Sequence, residues 1–482
     1  MFDVPLLLLI SLLALVFSAR GLEIDGLPKP AAPRAAKFVA PLEKTLANGL
    51  RVIVVERPGV PLLSAAFVVR SGSEADPEKL SGLANFTGDL LTKGTATRTA
   101  PQIAGEIESL GASLATDAGW DIIQVSLKTL SANAGAAFDL LADVVRNPKF
   151  APEEIERHRR QALDDLRLEM EKPGSVARAV AARGLLGASP YAHPPAGTLA
   201  SLPRIRRADI AALHARTFIP ANAVLVMAGN VTAAEGFALA EKTFGDWAVE
   251  KTPAPSVAEA DREKPRAILV DLPNAGQAAV YVGGPGLARK DDAFTVAEVT
   301  NAVLGTGYSS RLNQEIRLKR GLSYGARSTL TPSREFGIFA ASCQTKNESA
   351  AEVIRVMQTE LKRLADEPVP ADYLASRKAV LTGNFARELE TNDGYVKRVA
   401  ELALHGLPLE MLAHRIERIE AVSADEVRAF AGKHFALDGM TVVVVGRAKD
   451  VEKPLREIFP KLEVIPQSKL DLDATPDAKK AK

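Results

Sequence analysis

The chain repeats one pattern twice, and this duplication constrains its fold more than any other feature. "DIAALHARTFIPANAVLVMAGNVTAAEGFALAEKTF" and "EVRAFAGKHFALDGMTVVVVGRAKDVEKPLREIF" each read as a helix, a Phe, a short loop, an apolar strand ending in Gly, and another helix. Phe218 lies eleven residues before Gly229, and Phe435 lies eleven residues before Gly446. The matching offsets predict a duplicated unit of about 200 residues.

Within one unit, strand and helix patterns mix without strict alternation. "RVIVVE" at 51–56 and "LLSAAFVVR" at 62–70 are typical of strands, as is the run at 121–129, and "ANG" at 47–49 indicates a hairpin turn. Helical periodicity is present over 81–92, 101–110, 133–146 and 152–171. We therefore predict an α+β fold of two homologous halves, each with a sheet rich in antiparallel strands and with helices packed on one face.

Local differences in composition along the 482 residues predict several separate segments. The 14-residue apolar run from Val4 to Phe17 has the length of a secretory signal core and predicts export, although no positive charge precedes it. Stretches rich in Pro and Ala predict a spacer and a linker, and a charged end predicts disorder. The predicted segments are a signal peptide or anchor (1–21), a spacer (22–40), a first domain (41–248), a linker (249–265), a second domain (266–465) and a disordered tail (466–482).

Charge and cysteine content exclude several classes of function. Sixty Lys and Arg residues oppose 59 Asp and Glu residues, so the net charge of +1 gives no reason to expect nucleic acid as a partner. The single cysteine, Cys343, cannot form an intrachain disulfide or a cysteine zinc site, and its apolar surroundings predict a buried core residue. No helical pair of histidines four residues apart exists, so we assign structural roles to all six: His158, His193, His214, His405, His414 and His434.

Five stretches resemble, in chain order, the pitrilysin/insulinase family of inverted-motif zinc metallopeptidases. They cover residues 40–465 and read "NGLRVIVVE", "GLANFTGDLLTKGT", "YAHPPAGT", "SSRLNQEIRLKRGLSYGARS" and "HGLPLEMLAHRIERIEAVSADEVRAF". Active members carry H-x-x-E-H on the helix that "GLANFTGDLLTKGT" resembles. Its two histidines hold zinc, its Glu takes a proton from the zinc-bound water, and a Glu from a later helix is the third ligand.

The resemblance implies that this chain has lost the metal motif. Asn85 stands at the first His position, Gly88 at the Glu position, Asp89 at the second His position and Asp165 near the distal ligand. Asn is a weak zinc ligand, and Gly88 removes the general base, so we expect this chain to bind no zinc. The oxygen atoms of Asn85, Asp89 and Asp165 leave a hard cation such as Mg²⁺ or Ca²⁺ as an alternative.

The second half keeps a different motif, "GTGYSSRLNQEIRLKRGLSYGARSTL". It reads as a loop, a helix from about Ser310 to Lys319, a turn at Gly321, and a strand from about Ser323. The loop residues Gly305, Gly307 and Ser309 are expected to contact substrate, because the loop lacks the Lys-Ser/Thr ending of a phosphate-binding loop.

This motif contains an Arg and a Tyr seven residues apart, Arg317 and Tyr324. The family resemblance implies that the pair holds the substrate's backbone carbonyl and stabilises the oxyanion, and a guanidinium and a phenol are suitable donors. Taken in isolation, the spacing is also compatible with a solvated Arg317 and a packed Tyr324.

The resemblance leads to one main hypothesis and two alternatives. Some family members divide the two half-sites between two subunits, so we expect a zinc-less subunit of an exported, periplasmic bacterial metallopeptidase, with zinc held by an H-x-x-E-H partner. Its substrates would be peptides or unfolded proteins, and a membrane would be involved only if the N-terminal segment stays uncleaved. The alternatives are a scaffold or peptide-binding protein without proteolysis, and a hydrolase that uses Asp89 and Asp165.

Overall fold

The computed structural model describes residues 38–187, 189–248 and 263–473. The signal peptide or anchor predicted at 1–21, most of the spacer at 22–40 and most of the linker at 249–265 lie outside the described residues. Within the described ranges, no helix has the length and apolar character needed to cross a bilayer.

The first half forms a six-stranded sheet in the order β1-β2-β6-β3-β5-β4. Only β2 and β6 pair in parallel, and the other neighbours are antiparallel. The strands are β1 Leu42–Thr45, β2 Arg51–Glu56, β3 Leu62–Val69, β4 Ser113–Ala118, β5 Ile123–Leu130 and β6 Ala223–Gly229. The α-helices are α1 Leu83–Leu90, α2 Ala100–Ser109, α3 Ala134–Arg146, α4 Pro152–Met170, α5 Pro173–Leu186, α6 Arg207–Thr217 and α7 Ala233–Phe244.

The second half forms another six-stranded sheet, in the order β12-β7-β11-β8-β10-β9. Here β7 pairs in parallel with β11 and with β12. The strands are β7 Ala267–Asp271, β8 Ala278–Gly286, β9 Ala326–Pro332, β10 Gly337–Thr345, β11 Thr441–Gly446 and β12 Glu463–Pro466. The α-helices are α8 Phe294–Leu304, α9 Ala350–Asp366, α10 Ala371–Glu388, α11 Asn392–Leu404, α12 Met411–Ala421, α13 Ala424–His434 and α14 Ala448–Ile458.

The two sheets share one topology, which confirms the predicted α+β fold of two homologous halves. The order β2-β6-β3-β5-β4 corresponds to β7-β11-β8-β10-β9, with the parallel pair in the same place. The two glycines of the repeat, Gly229 and Gly446, end the corresponding strands β6 and β11. The predicted turn at 47–49 joins β1 to β2, and Gly49 has the positive φ of 89° that such a turn requires.

Each half packs its own helices on one face of its sheet, and a helix from the opposite half covers the other face. Val396 and Val399 of α11 share a buried cluster with Ile53 of β2. Reciprocally, Val180 of α5 shares a buried cluster with Val443 of β11. Both faces of the central strands are therefore buried, which explains why β6 and β11 are apolar at successive positions rather than at alternate ones.

A buried polar network, which we call the joint network, links the two halves. Arg334, in the turn between β9 and β10, donates to the backbone oxygen of Arg70 (2.9 Å) and pairs with Glu74 (3.2 Å). Its backbone N–H donates to Asp121 (3.1 Å), which also accepts a hydrogen bond from the Tyr191 hydroxyl (2.6 Å). One arginine of the second half thus bridges two carboxylates of the first half.

The joint network makes stability depend on pH. Burial raises the pKa of Glu74 from 4.5 to about 7, although Arg334 opposes the shift. The folded state therefore binds this proton more tightly than the unfolded state does. The contribution is fully present below pH 4.5 and is lost as the pH rises to about 7. We expect Glu74→Gln to remove this part of the pH dependence of the free energy of unfolding, measured by urea denaturation across that range.

A matched control for this experiment is Glu108→Gln, because Glu108 is exposed at the end of α2. This control should keep the pH dependence of the unmodified chain. Identical slopes for Glu74→Gln and the unmodified chain would contradict the assignment to Glu74.

The predicted disorder of residues 466–482 is wrong for 466–473. Residues Gln467–Lys469 form a 3₁₀ turn after β12, and Leu470 and Leu472 pack against the apolar cluster of α5. The Asp473 carboxylate accepts a hydrogen bond from the Thr198 hydroxyl (2.9 Å). The two leucines bury enough apolar surface to hold a segment whose charge predicted disorder.

Candidate functional site

Helix α1, which corresponds to the metal-bearing helix of the family resemblance, forms where the sequence predicts it. Leu83, Phe86 and Leu90 are buried along one face and attach the helix to the first core. The Asp76 carboxylate accepts hydrogen bonds from the backbone N–H groups of Gly82 and Ala84, each at 2.8 Å. It thereby provides an acceptor for N–H groups at the start of the helix, which have no carbonyl partner within the helix. Packing and capping therefore hold this helix in place.

The residues at the degenerate motif have separate contacts on β5 and α4. A Cβ atom on Gly88 would lie 3.3 Å from Ile123 Cγ2, so this position faces β5 closely. Asp89 Oδ2 lies 3.4 Å from His158 Nε2 on α4, and the exposed Asp165 accepts a hydrogen bond from Gln161 (3.0 Å). Throughout the described ranges, no three His, Cys, Asp or Glu side chains are grouped so that they could hold a metal ion. Asp89 and Asp165 thus have different side-chain partners, which gives the Mg²⁺ or Ca²⁺ alternative no support.

A large open cavity of about 1850 Å³ lies against the second sheet. Its walls come from β8, β9 and β10, from the end of α4 and start of α5, and from the loop 193–200. Arg317 and Tyr324 both line it, so the two predicted residues border the same cavity. None of the degenerate motif positions Asn85, Gly88, Asp89 and Asp165 is among the described residues that line this cavity.

Arg317 lies in a π-helix, Asn313–Lys319, where we predicted an ordinary helix. π-Helical turns are rare and occur frequently at functional sites. The guanidinium carbon of Arg317 is 5.0 Å from the centre of the Tyr308 ring, a cation–π contact. Among the described residues, no carboxylate pairs with Arg317, so its N–H donors are available to a ligand.

Side-chain contacts hold the π-helix in place. The Asn313 amide donates to the backbone oxygen of Tyr308 (2.6 Å) and accepts from the backbone N–H of Ala326 (3.3 Å). It therefore ties the glycine-rich loop to the start of β9. Glu315 accepts from Lys319 (2.5 Å) and from Arg320, so one carboxylate engages the two basic residues that follow Arg317.

Tyr324 stands at the tip of a short turn before β9. The Ser323 hydroxyl donates to the backbone oxygen of Gln344 (2.6 Å) and accepts from the N–H of Gly325 (3.1 Å). This turn occupies the place where the sequence predicted the strand to begin, so β9 starts at Ala326 instead. Tyr324 is 88% exposed, and its hydroxyl has no hydrogen bond to any residue that the structure describes.

The glycine-rich loop has two cavity-lining residues and one anchor. Gly305 and Gly307 line the cavity. A Cβ on Gly305 would lie 2.0 Å from the backbone nitrogen of Ser328, and Gly307 has a φ of +83°, so both positions favour glycine. Ser309 does not line the cavity, because its hydroxyl accepts from Arg377 (2.7 Å) and its backbone oxygen from Tyr373 (2.8 Å). Of the three loop residues predicted to contact substrate, the two glycines therefore line the cavity and Ser309 does not.

Two features of the cavity were missed by sequence reasoning. Tyr308 lines it beside Arg317, and its position inside "GTGYSS" was the available signal. His193 belongs to the loop 193–200 and contacts the Ser73 backbone oxygen (2.9 Å) and the Ser81 hydroxyl (3.1 Å). Burial lowers the pKa of His193, which is consistent with a structural role that ties the loop to the start of α1.

Cys343 also borders the cavity, yet it is buried as predicted. Burial raises the pKa of its thiol to about 12, so the reactive thiolate is disfavoured.

Two family models match the chain in sequence. Residues 51–185 match the insulinase model of peptidase family M16, and residues 204–381 match the model described as the peptidase M16 inactive domain. An uncharacterized zinc protease of Mycobacterium leprae is 28% identical over 409 residues, which cover 84% of this chain and 92% of that protein. An uncharacterized zinc protease of Bacillus subtilis is 22% identical over 396 residues, covering 82% and 95%.

Solved structures match over most of the chain as well. A peptidase M16 inactive domain from Pseudomonas fluorescens is 27% identical and superposes with a TM-score of 0.78, covering 84% of this chain and 98% of that one. A protease from Helicobacter pylori has a TM-score of 0.81 at 19% identity, covering 85% and 100%, and shows the shared fold alone. The family models account for both halves in their order along the chain, and so this chain belongs to peptidase family M16, the insulinase family.

Proposed function

We propose that this chain is the non-catalytic subunit of a heterodimeric zinc peptidase. Arg317 and Tyr324 would complete the active site of a partner subunit that carries H-x-x-E-H. The observation that carries the proposal is the contrast between the two motifs. Arg317 and Tyr324 line one large cavity without carboxylate or hydrogen-bond partners among the described residues, whereas no cluster of potential metal ligands lies around Asn85, Gly88 and Asp89 in the described ranges.

The chemistry of the pair suits an oxyanion. The partner's zinc would polarise the substrate carbonyl and activate water. This chain would contribute a guanidinium and a phenol O–H, both of which donate to an oxygen that becomes negative. Neither residue accepts a proton in this role, so the pair needs no general base of its own.

The edge of the cavity supports the presence of a partner or a peptide. Large apolar and aromatic side chains are exposed there, including Tyr324 at 88%, Tyr308 at 61% and Leu199 at 45%. Exposed apolar side chains around a binding site are normally covered by a bound partner or ligand.

A cavity of about 1850 Å³ accommodates an extended peptide segment but not a folded domain, so we propose peptides or unfolded proteins as substrates. We propose a periplasmic location for the assembly, which the apolar run after Val4 supports because it has the length of a secretory signal core.

The direct test combines this chain with an M16 subunit that carries H-x-x-E-H from the same genome. Cleavage of unfolded peptides is measured for each chain alone and for the mixture. We expect zinc-dependent cleavage by the mixture and none by this chain. Zinc measured in each purified chain should remain with the partner.

Two other results would contradict the proposal. Cleavage by the isolated chain would instead favour a hydrolase with its own site. A stable complex that binds peptides and leaves them uncleaved would favour a scaffold or peptide-binding protein.

A further inference from the structure

The strand that follows Tyr324 brings a second arginine to the large cavity. Arg327, Thr329 and Thr331 of β9 all line this cavity, because alternate residues of a strand point to the same face of the sheet. Arg327 is exposed, and its side chain has no ion pair or hydrogen bond to any residue that the structure describes. Its guanidinium is therefore available in the space where the proposed function places a peptide.

The strand register determines which side chains lie beside Arg327. Arg327 is opposite Ser342 of β10, and Ser342 is opposite Tyr281 of β8. Both neighbours also line the cavity. Directly opposed side chains of antiparallel strands have Cβ atoms about 5 Å apart, so the Ser342 hydroxyl can reach a group that Arg327 binds. This row across the sheet provides hydrogen-bonding groups and no carboxylate.

The carboxylates of the cavity lie on its other side. Among the described lining residues, the carboxylates are those of Glu169, Glu171, Asp471 and Asp473. They come from the junction of α4 with α5 and from the segment after β12, and Glu169 already pairs with Lys172 (2.6 Å). The α5 side of the cavity therefore carries charges of both signs, whereas the charged residues described on the β9 side are Arg317 and Arg327.

Arg327 also lies close to the proposed reaction centre. It follows Tyr324 by three residues, so the two Cα atoms are at most about 10 Å apart. An extended peptide advances about 3.3 Å per residue. If the reacting carbonyl contacts Arg317 and Tyr324, a substrate side chain within about three positions of that carbonyl can reach Arg327. An arginine binds a carboxylate well, because two of its N–H groups donate in parallel to the two oxygens.

We infer that Arg327 is a specificity-determining residue, which binds the carboxylate of an Asp or Glu side chain about one to three positions from the cleaved bond. The inference rests on the proposed function, because that function supplies the peptide and the position of its reacting carbonyl. The Ser342 hydroxyl would donate a further hydrogen bond to the same carboxylate. The substrates are thereby narrowed to peptides with an acidic residue beside the cleavage site, and a lysine there is disfavoured by its like charge.

The first test measures peptide binding by the full chain alone, so it does not depend on a partner. The probes are short fluorescent peptides of neutral residues that differ at one central position, which is Glu, Gln or Lys. Fluorescence anisotropy should show that the Glu peptide binds about 3- to 10-fold more tightly than the Gln peptide, with the Lys peptide weakest. This preference should decrease at high salt, because Arg327 is exposed and its charge is screened.

Arg327→Glu should reverse the preference, so that the Lys peptide binds more tightly than the Glu peptide. A variant that merely fails to fold cannot acquire this new preference. Lys346→Glu is the matched control, because Lys346 is exposed just after β10 and does not line the cavity. It makes the same change in net charge and should keep the preference for the Glu peptide.

The second test repeats the comparison as cleavage by the mixture with an H-x-x-E-H partner. The preference for the Glu peptide should appear in kcat/KM, and Arg327→Glu should transfer it to the Lys peptide. Zinc-dependent cleavage with no preference for Glu, or with a preference that Arg327→Glu leaves unchanged, would overturn the inference while the proposed function stands. Binding that is selective for Glu and reversed by Arg327→Glu, without cleavage by the mixture, would contradict the proposed function and still support the role of Arg327.

Discussion

Replacement of Arg317 by alanine should lower kcat/KM of the mixed peptidase by about 100- to 1,000-fold. The physical reason is the loss of a charged donor aimed at the oxygen that becomes negative in the transition state. The fold should be unaffected, because no described carboxylate pairs with Arg317 and its one ring contact is with Tyr308. Steady-state kinetics on a defined peptide, with circular dichroism of the variant, measure both expectations.

The distribution of this loss between kcat and KM distinguishes catalysis from substrate binding. A donor that contacts the oxyanion only in the transition state lowers kcat, whereas a donor that merely binds the peptide raises KM. Tyr324→Phe removes a neutral donor and keeps the ring, so its effect should have the same direction and be smaller.

Arg355→Ala is a suitable control, because Arg355 is an exposed residue of α9 outside the cavity, 3.6 Å from Glu457. It should leave kcat/KM essentially unchanged. If the mixture cleaves peptides in a zinc-dependent manner and Arg317→Ala leaves that activity intact, the pair does not complete the partner's site, even though the two subunits still assemble.

Much of the fold could be predicted because its signals are local. The periodicity of α1 and α4, the turn residues at 47–49 and the matched glycines of the repeat all reflect short-range physics. The exchange of helices between the halves could not be predicted in this way. The apolar run of β6 indicates that both its faces are buried, but nothing in the run identifies α11 as the covering helix.

In the candidate site, too, local features could be predicted from the sequence and long-range contacts could not. Arg317 and Tyr324 could be placed at one space, since a glycine turn between them folds the chain back. The start of β9 could not be located, because the Ser323 hydroxyl binds a backbone oxygen of another strand, 21 residues away. The π-helical geometry around Arg317 likewise depends on Asn313, whose contacts reach both the loop before it and the strand after it.

The joint network is the extreme case of a feature that sequence patterns do not reveal. Arg334 contacts residues that lie 213 and 264 positions earlier in the chain, and nothing near Arg334 in the sequence indicates them. In the sequence it reads as an ordinary polar turn residue. In the structure its side chain is 15% exposed and faces two carboxylates that are exposed by 4% and 7%.

Arg334→Ala should therefore destabilise the chain by about 3–5 kcal/mol, the cost typical of removing one partner from a buried ion pair. The substitution leaves Glu74 and Asp121 close together and without their cation, although the Tyr191 hydroxyl and the backbone N–H of residue 334 still donate to Asp121. Urea denaturation near neutral pH, followed by circular dichroism, measures the loss. Adding Glu74→Gln to Arg334→Ala should recover part of it, because without Arg334 the buried Glu74 must take up a proton to avoid a charge beside Asp121, and the amide is neutral already.

The neighbouring residue pair supplies the control for this experiment. Lys290 and Glu335 form an ion pair at 2.8 Å beside the same turn, but their side chains are 55% and 43% exposed. Lys290→Ala should cost no more than about 1 kcal/mol, since water solvates the remaining carboxylate. Equal losses for Arg334→Ala and Lys290→Ala would mean that the joint network is solvated like a surface pair. The apolar contacts of α5 and α11 would then contribute more to holding the halves together than the joint network does.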